Sequence, residues 1–94
     1  MKEYEFNKRK YLLEKEEKGG FDLEVVKEKM TDYFNNYDYV VGDWAYGKLR
    51  LKGFYNSNNK KATKINDIKK LDKYLKEQCA YGCKYFILKK VYKK

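Results

Sequence analysis

The sequence predicts a two-layer α+β fold in which two helices cover one face of a mostly antiparallel sheet, with the order ββ-α-β-β-α-β. Its 94 residues suit a single domain spanning 1–94. Period-2 apolar segments bounded by turn-forming residues predict the strands, and two segments with apolar residues at helical spacing predict the helices. The last six elements would fit a ferredoxin-like core of split βαβ units. In the alternative arrangement, the first hairpin joins the sheet and reorders its strands.

The N-terminal segment predicts a short β-hairpin that fades before the Gly19-Gly20 pair. Tyr4 and Phe6 alternate with charged residues, which is the pattern of a half-buried strand. A polar turn over residues 7–10 then leads into a second apolar run at residues 11–13. These two runs are the expected arms of the hairpin.

A helix is predicted to begin after Asp22, whose side chain can cap the first free N–H groups. Phe21 stands where a hydrophobic staple would pack on Val26. One apolar stripe then continues at helical spacing, and Asn35-Asn36 marks the fraying end of the helix. Its members are Leu23, Val26, Met30, Tyr33, Phe34 and Tyr37.

Two strands are predicted in the middle of the chain. Residues 39–41 form a short, largely β-branched run, and the segment after Gly47 alternates strictly between cations and leucines. Because side chains alternate across a strand, Lys48, Arg50 and Lys52 share one face and the leucines between them share the other.

The C-terminal part predicts a loop, a second helix and a last strand. Residues 56–61 are polar and rich in turn formers. The following helix is amphipathic with a lysine-rich exposed face, and Gly82 is the expected left-handed residue after it. The apolar run at 85–88 is nearly continuous, which predicts a central strand covered on both faces. The apolar positions of the helix are Ile65, Ile68, Leu71, Leu75 and Cys79.

The net charge of +9 is unevenly distributed along the chain. Residues 1–47 carry 8 basic and 11 acidic side chains, a net of −3, whereas residues 48–94 carry 15 basic and 3 acidic, a net of +12. Such asymmetry is typical of proteins with an anionic partner, although a lysine-rich solvated surface gives the same count. Since lysine lacks the planar fork of arginine, we expect any nucleic-acid binding to be backbone-directed and weakened by salt.

The composition argues against several kinds of chemistry. Histidine is absent, and Cys79 and Cys83 are too few for a zinc site and wrongly spaced for a redox pair. We therefore expect no metal and no cofactor. No secretory segment is recognised and no apolar run approaches the roughly 20 residues of a membrane span, so we expect a cytoplasmic protein without a structural disulfide.

Two blocks of sequence resemble a known family. The first, residues 41–55, reads V-G-D-W-A-Y-G-K-L-R-L-K-G-F-Y, and the second, residues 79–91, reads C-A-Y-G-C-K-Y-F-I-L-K-K-V. In this order and at this separation, they resemble the YutD family of small proteins from Gram-positive bacteria, over roughly residues 37–92. The resemblance implies a bacterial cytoplasmic protein and assigns no activity, cofactor or site residue.

The cationic strand and its neighbours form the candidate nucleic-acid-binding surface. RNA-recognition sheets interleave aromatic side chains with Lys and Arg, and the segment 52–55 is similar to part of that pattern. Alternation puts Phe54 on the cationic face, and a bulge at Gly53 would return it to the core. With both helices on the leucine face, the cationic face stays open. The candidates are Trp44, Tyr46, Lys48, Arg50, Lys52, Phe54 and Tyr55, with Lys69 and Lys73 from the second helix.

Three functions remain open at this point. The first is a non-enzymatic module that binds RNA, such as ribosomal or other structured RNA, or another polyanion. The second is an adaptor whose aromatic hairpin around Trp44 and Tyr46 anchors a protein partner. The third, an enzyme acting on an anionic small molecule, is disfavoured because Ser57 has no histidine to activate it, and it would need a pocket converging on Asp43, Tyr46 and Arg50. Otherwise Asp43 is expected to bond turn amides.

Overall fold

The computed structural model describes residues 2–78 and 83–92 as a five-stranded antiparallel sheet with helices on both of its faces. The α+β class, with an antiparallel sheet and two helices, is confirmed. Short 3-10 helices precede β3 and α2, over Asp32–Asn36 and Ile68–Lys70. The main elements are β1 (Glu3–Phe6), β2 (Arg9–Glu17), α1 (Leu23–Lys29), β3 (Tyr39–Ala45), β4 (Lys48–Phe54), α2 (Leu71–Gln78) and β5 (Tyr85–Lys90).

The strand order in the sheet is β1-β2-β5-β3-β4, and every neighbouring pair is antiparallel. The first hairpin therefore joins the sheet, as the alternative arrangement proposed. Its second arm is longer than predicted and continues past a register shift between Leu13 and Lys15 as far as Glu17. β5 lies between β2 and β3, which agrees with the central position predicted from its continuous apolar run.

The apolar side chains form two cores, one on each face of the sheet. In β3, Val40 packs into a cluster with Val26 and Met30 from α1 and its C-cap. Its neighbours Tyr39 and Val41 point the other way and pack into a cluster with Leu71 of α2. The prediction that both helices cover one face is therefore wrong, and so is the ferredoxin-like core.

The two helical connections between parallel strands differ in handedness. β2 and β3 run parallel on either side of β5, and β4 and β5 run parallel on either side of β3. The first connection, through α1, joins β2 to β3, and the second, through α2, joins β4 to β5. The second crosses the sheet in the opposite direction and joins strands that point the opposite way. If both connections had the same hand, both helices would therefore lie on one face of the sheet. Since they lie on opposite faces, the two connections differ in hand. Central strands that are apolar on both faces require this cover on both sides.

α1 is shorter than the predicted stripe. The Asp22 side chain caps it, accepting a hydrogen bond from the Val25 N–H at 3.4 Å. The helix stops at Lys29, and Thr31 adopts an extended conformation before the 3-10 helix begins. The aromatic half of the stripe belongs to this 3-10 helix and its C-cap. Thr31 and Asp32 are weaker helix formers than Glu28 and Lys29 before them, which favours such a break.

The second helical segment begins at Ile68, because the Asp67 carboxylate caps it by accepting a hydrogen bond from the Lys69 N–H at 3.0 Å. Ile65, predicted as its first core residue, is 74% exposed. The predictions for Cys79 and Gly82 lie outside the described residues. Cys83 is disulfide-bonded, so the expectation of no disulfide is wrong. No helix in the described segments is long and apolar enough to cross a membrane.

Candidate functional site

The cations of β4 lie on the sheet face that α2 covers. The register pairs Val41 with Lys52 and Asp43 with Arg50. The β4 cations therefore share one face of the sheet, as predicted. Leu71 and Tyr74 pack on the same face. The expectation that this face stays open is therefore wrong, because it assumed that both helices lie on the leucine face.

Asp43 is the buried centre of this face, with 1% of its surface exposed. The Arg50 guanidinium donates two hydrogen bonds to it, from Nε to Oδ1 at 3.0 Å and from Nη2 to Oδ2 at 3.1 Å. The Tyr74 hydroxyl donates a third, to Oδ2 at 3.4 Å. Asp43 thus links β3, β4 and α2, which replaces the predicted role of bonding turn amides.

These contacts shift the titration of both partners of Asp43. The hydrogen bond to Asp43 raises the pKa of Arg50 above its usual value, with Coulombic attraction adding to it. Burial is the main reason that the pKa of Tyr74 is raised, and the negative charge of Asp43 raises it further. Arg50 therefore stays charged and Tyr74 stays protonated, so both can donate hydrogen bonds to Asp43.

Lys52 is half-buried on the same face, and its ammonium lies over two rings. Its Nζ is 5.3 Å from the centroid of the Phe54 ring and 5.8 Å from that of Tyr74. Such cation–π contacts occupy the lysine within the fold. Lys48, at the start of β4, is exposed.

Phe54 and Tyr55 are only 0% and 8% exposed, so the proposal that they stack on bases is wrong. The register between β3 and β4 runs without a bulge at Gly53, so Phe54 stays on the cationic face, as alternation predicts. It is buried there because α2 covers it, with the Tyr74 ring edge-on at 5.6 Å. Gly53 faces the other way, and a Cβ there would collide with the Tyr37 ring.

Trp44 and Tyr46 occupy the end of the β3–β4 hairpin and differ in exposure. Trp44 is half-buried on the α1 face, and its Nε1 donates a hydrogen bond to the Gly20 carbonyl at 2.7 Å. The Lys84 Nζ lies 5.4 Å from the centroid of the Trp44 ring. Tyr46 is fully exposed and adopts a positive φ of 53°, followed by Gly47 at 75°. We call Trp44, Tyr46, Lys48 and Lys84 the hairpin tip.

Lys69 and Lys73 are exposed on the segment around α2, as predicted. The Lys73 Nζ lies 3.8 Å from a Glu77 carboxylate oxygen, one turn further along the helix. A surface pair of this kind contributes little to stability and leaves the lysine accessible. The predicted site is thus divided into a cluster around the buried Asp43 that includes Arg50, an exposed hairpin tip and exposed lysines.

A cleft of about 260 Å³ lies between the 3-10 helix, β4 and the loop before α2. Tyr33 and Tyr37 line it with their hydroxyls 3.3 Å apart, and Ile65 lies at its edge. The hydrogen bond between the two hydroxyls raises the pKa of Tyr37 to about 12, with burial adding to the shift. Sequence reasoning missed this cleft because it assigned these residues to helical core stripes.

A second cleft of about 440 Å³, which we call the Arg9 cleft, lies where the β1–β2 turn meets the end of β5 and the 3-10 helix. Four of the lining residues are cations. Sequence reasoning missed it because these residues come from three distant segments. The basic run at 8–10 in an otherwise acidic half was the available signal. The principal lining residues are Glu5, Lys8, Arg9, Lys10, Asn35, Asn36, Lys90 and Tyr92.

The fold and these surfaces define a small basic α+β protein that presents an exposed aromatic hairpin and two clefts. The chain belongs to the YutD-like family, because the family described as "Putative antitoxin YutD-like" matches residues 5–89. A curated relative, "Putative antitoxin YutD" from Bacillus subtilis (strain 168), is 51% identical over 76 residues, which are 81% of this chain and 84% of the relative.

A solved structure agrees with this assignment. The solution NMR structure of protein yutD from B. subtilis superposes with a TM-score of 0.84 and is 43% identical. The match covers 99% of this chain and 84% of that chain. The resemblance seen in the sequence blocks is therefore confirmed as family membership.

Proposed function

We propose that this chain is a non-catalytic cytoplasmic binding protein. In keeping with the description of its family, it acts as an antitoxin by binding a protein partner through the hairpin tip. The observation that carries the proposal is Tyr46, a fully exposed aromatic residue at the end of a two-strand hairpin. Tyrosine and tryptophan are the side chains most enriched at the energetic centres of protein interfaces.

The hairpin tip is held in place by the fold. Trp44 is tied to the Gly20 carbonyl, and the positive φ values of Tyr46 and Gly47 are those of a tight two-residue turn. A non-glycine residue in the left-handed region costs roughly 1 kcal/mol, so a tyrosine here is retained against its backbone preference. Because the backbone of the turn is already fixed, little of its conformational entropy is lost on binding.

The chemistry around the tip indicates an acidic partner. Lys48 follows the turn, and Lys84 lies over the Trp44 ring. The net charge of +9 gives the whole molecule the same preference. Complementary charge would speed the encounter, while Tyr46 would supply the buried contact.

The test compares Tyr46→Ala with Tyr33→Ala, a matched loss of an exposed tyrosine at another site. Nuclease-treated bacterial lysate is passed over each immobilised variant, and the captured proteins are identified. We expect a protein that the unmodified chain and Tyr33→Ala retain and that Tyr46→Ala loses. That protein, expressed alone, should slow growth, and co-expression of the chain should restore growth unless Tyr46 is replaced. Equal capture by both variants would contradict the proposal.

RNA binding is the second candidate, supported by the exposed lysines Lys48, Lys69 and Lys73 together with the net charge. Arg50, Phe54 and Tyr55 no longer belong to it, since they are occupied or buried inside the fold. In a plot of the logarithm of the RNA-binding constant against the logarithm of salt concentration, each phosphate contact contributes about 0.7 to the slope. Replacing the three lysines by glutamine should therefore reduce the size of that slope by about 2. An unchanged slope would remove this candidate.

A further inference from the structure

We propose that the Arg9 cleft binds a small nucleoside phosphate, with the phosphates held by its cations and the base stacked on Tyr92. The cleft lies at the β1–β2 turn, whereas the hairpin tip joins β3 and β4 at the other edge of the sheet. The inference is therefore independent of the proposed protein partner.

The cleft has an excess of positive charge that the described residues do not neutralise. Four cations line it against one carboxylate, Glu5. Lys10 lies 3.9 Å from the Glu3 carboxylate. Within the described ranges, no carboxylate oxygen lies within 4.0 Å of Lys8, Arg9 or Lys90. The Arg9 guanidinium can therefore form the two parallel hydrogen bonds that suit a phosphate.

Lys90 is held in position without a carboxylate partner. Its Nζ donates a hydrogen bond to the Asn35 carbonyl at 2.7 Å and lies 4.9 Å from the centroid of the Tyr92 ring. Burial lowers the pKa of Lys90, and the positive charges of Arg9 and Lys61 add to the effect, although the charge of Asp38 opposes it. An anion in the cleft would relieve this repulsion among cations.

The turn that carries Lys8 is both strained and fixed. Asn7 and Lys8 have φ values of 51° and 65°, as in a two-residue hairpin turn whose second position favours glycine. A lysine there costs roughly 1 kcal/mol, and strained residues of this kind cluster at ligand sites. The Asn7 Nδ2 donates a hydrogen bond to the Met30 carbonyl at 2.8 Å, which fixes the turn to the body of the protein.

The size and polarity of the cleft suit a nucleotide better than a bare anion. Its volume of about 440 Å³ falls in the range of roughly 300–1,000 Å³ found for small-molecule sites. Tyr92 is 57% exposed, and stacking of a base on such a ring contributes about 1–3 kcal/mol. Asn35 and Asn36 add polar groups on the opposite element.

The experiment titrates the ¹⁵N-labelled full chain with ADP, adenosine and inorganic pyrophosphate, and follows the amide resonances. We expect ADP to give saturable shifts centred on residues 8–10, 35–36 and 90–92, with adenosine giving none. Arg9→Gln should weaken ADP binding about tenfold, and Arg9→Lys, which keeps the charge, should weaken it several-fold because it loses the bidentate contact. Tyr92→Ala should weaken binding of ADP but not of pyrophosphate.

Lys70→Gln is the matched control, because it removes one exposed lysine from the short 3-10 helix before α2. It should change ADP affinity less than twofold. The absence of saturable ADP shifts up to millimolar concentration would overturn the proposal. Equal losses from Arg9→Gln and Lys70→Gln would also overturn it, since they would indicate attraction to the general charge of the protein. So would ADP binding that Tyr92→Ala leaves unchanged.

Discussion

The two arginines of the chain, Arg9 and Arg50, lie in strands near opposite edges of the sheet, and their guanidinium groups face different surroundings. Arg50 makes a bidentate contact with the buried Asp43 carboxylate. Arg9 lines an open cleft together with three lysines, and in the described ranges no carboxylate lies within ion-pair distance of it. One arginine is therefore committed to the fold, and the other is available to a ligand.

This difference shows why charge along the sequence is a poor guide to a binding surface. Arg50 belongs to the half with a net charge of +12 and was the obvious candidate, yet its charge is paired with the buried Asp43 carboxylate. Arg9 belongs to the half with a net charge of −3, yet the fold gathers cations around it. The partner of a charged group in space, not the local sum, decides whether it can bind an anion.

The largest expected effect that tests this comparison is on stability. Arg50→Ala leaves the buried Asp43 carboxylate without its cation, and we expect the free energy of unfolding to fall by about 3 kcal/mol. Arg9→Ala removes an exposed side chain and should cost less than about 0.5 kcal/mol. Urea denaturation of the two variants measures both values, and equal losses would break the comparison.

A double-mutant cycle sharpens the same prediction. Asp43→Asn in the Arg50→Gln background removes the carboxylate that the first change left unpaired. The combined loss should be smaller than the sum of the two single losses by about 1–3 kcal/mol. Additive losses would show that the two side chains act independently.

An intermediate effect is expected at the turn beside Arg9. Lys8→Gly relieves the left-handed strain at φ 65°, so the free energy of unfolding should rise by about 0.5–1 kcal/mol. The same change removes a cation from the Arg9 cleft and should weaken ADP binding. A variant that is more stable and binds less well would separate the two roles of Lys8, whereas a loss of stability would contradict the strain argument.

The smallest effect is on the pH dependence of stability. The pKa of Lys90 is lowered by burial from its usual 10.5. At pH values between the pKa of Lys90 in the folded chain and 10.5, the unfolded chain therefore binds more protons than the folded chain. The contribution of Lys90 to the free energy of unfolding therefore rises as the pH approaches 10.5. On the Arg50 side the sign is opposite, because the raised pKa of Tyr74 makes stability fall as the pH rises above the usual 10.0.

Denaturation at several pH values from neutral up to 10.5, the usual pKa of the lysine, checks the Lys90 prediction. Lys90→Met should show a smaller rise in unfolding free energy with pH than the unmodified chain. Lys70→Met serves as the control, since it removes an exposed lysine without touching the cleft. Identical pH profiles for the unmodified chain and Lys90→Met would contradict the prediction.

Local signals in the sequence predicted the local features of the site. Alternation along β4 correctly placed Phe54 on the same face as Lys52, and the exposure of Lys69 and Lys73 followed from their helix. The burial of Phe54 and the pairing of Arg50 were missed, because both depend on where α2 docks. The Arg9 cleft was missed for the same reason, since Arg9 and Lys90 are brought together only by the pairing of β2 with β5.

The sequence by itself determined the α+β class, most of the strands, the Asp22 cap and the central position of β5. These follow from short-range patterns, namely the period of apolar residues and the chemistry of turns and caps. Only the tertiary structure decided the order β1-β2-β5-β3-β4, the placement of α1 and α2 on opposite faces, and the different fates of Arg9 and Arg50. These features depend on the hand of two long connections and on long-range pairing, which local periodicity does not encode.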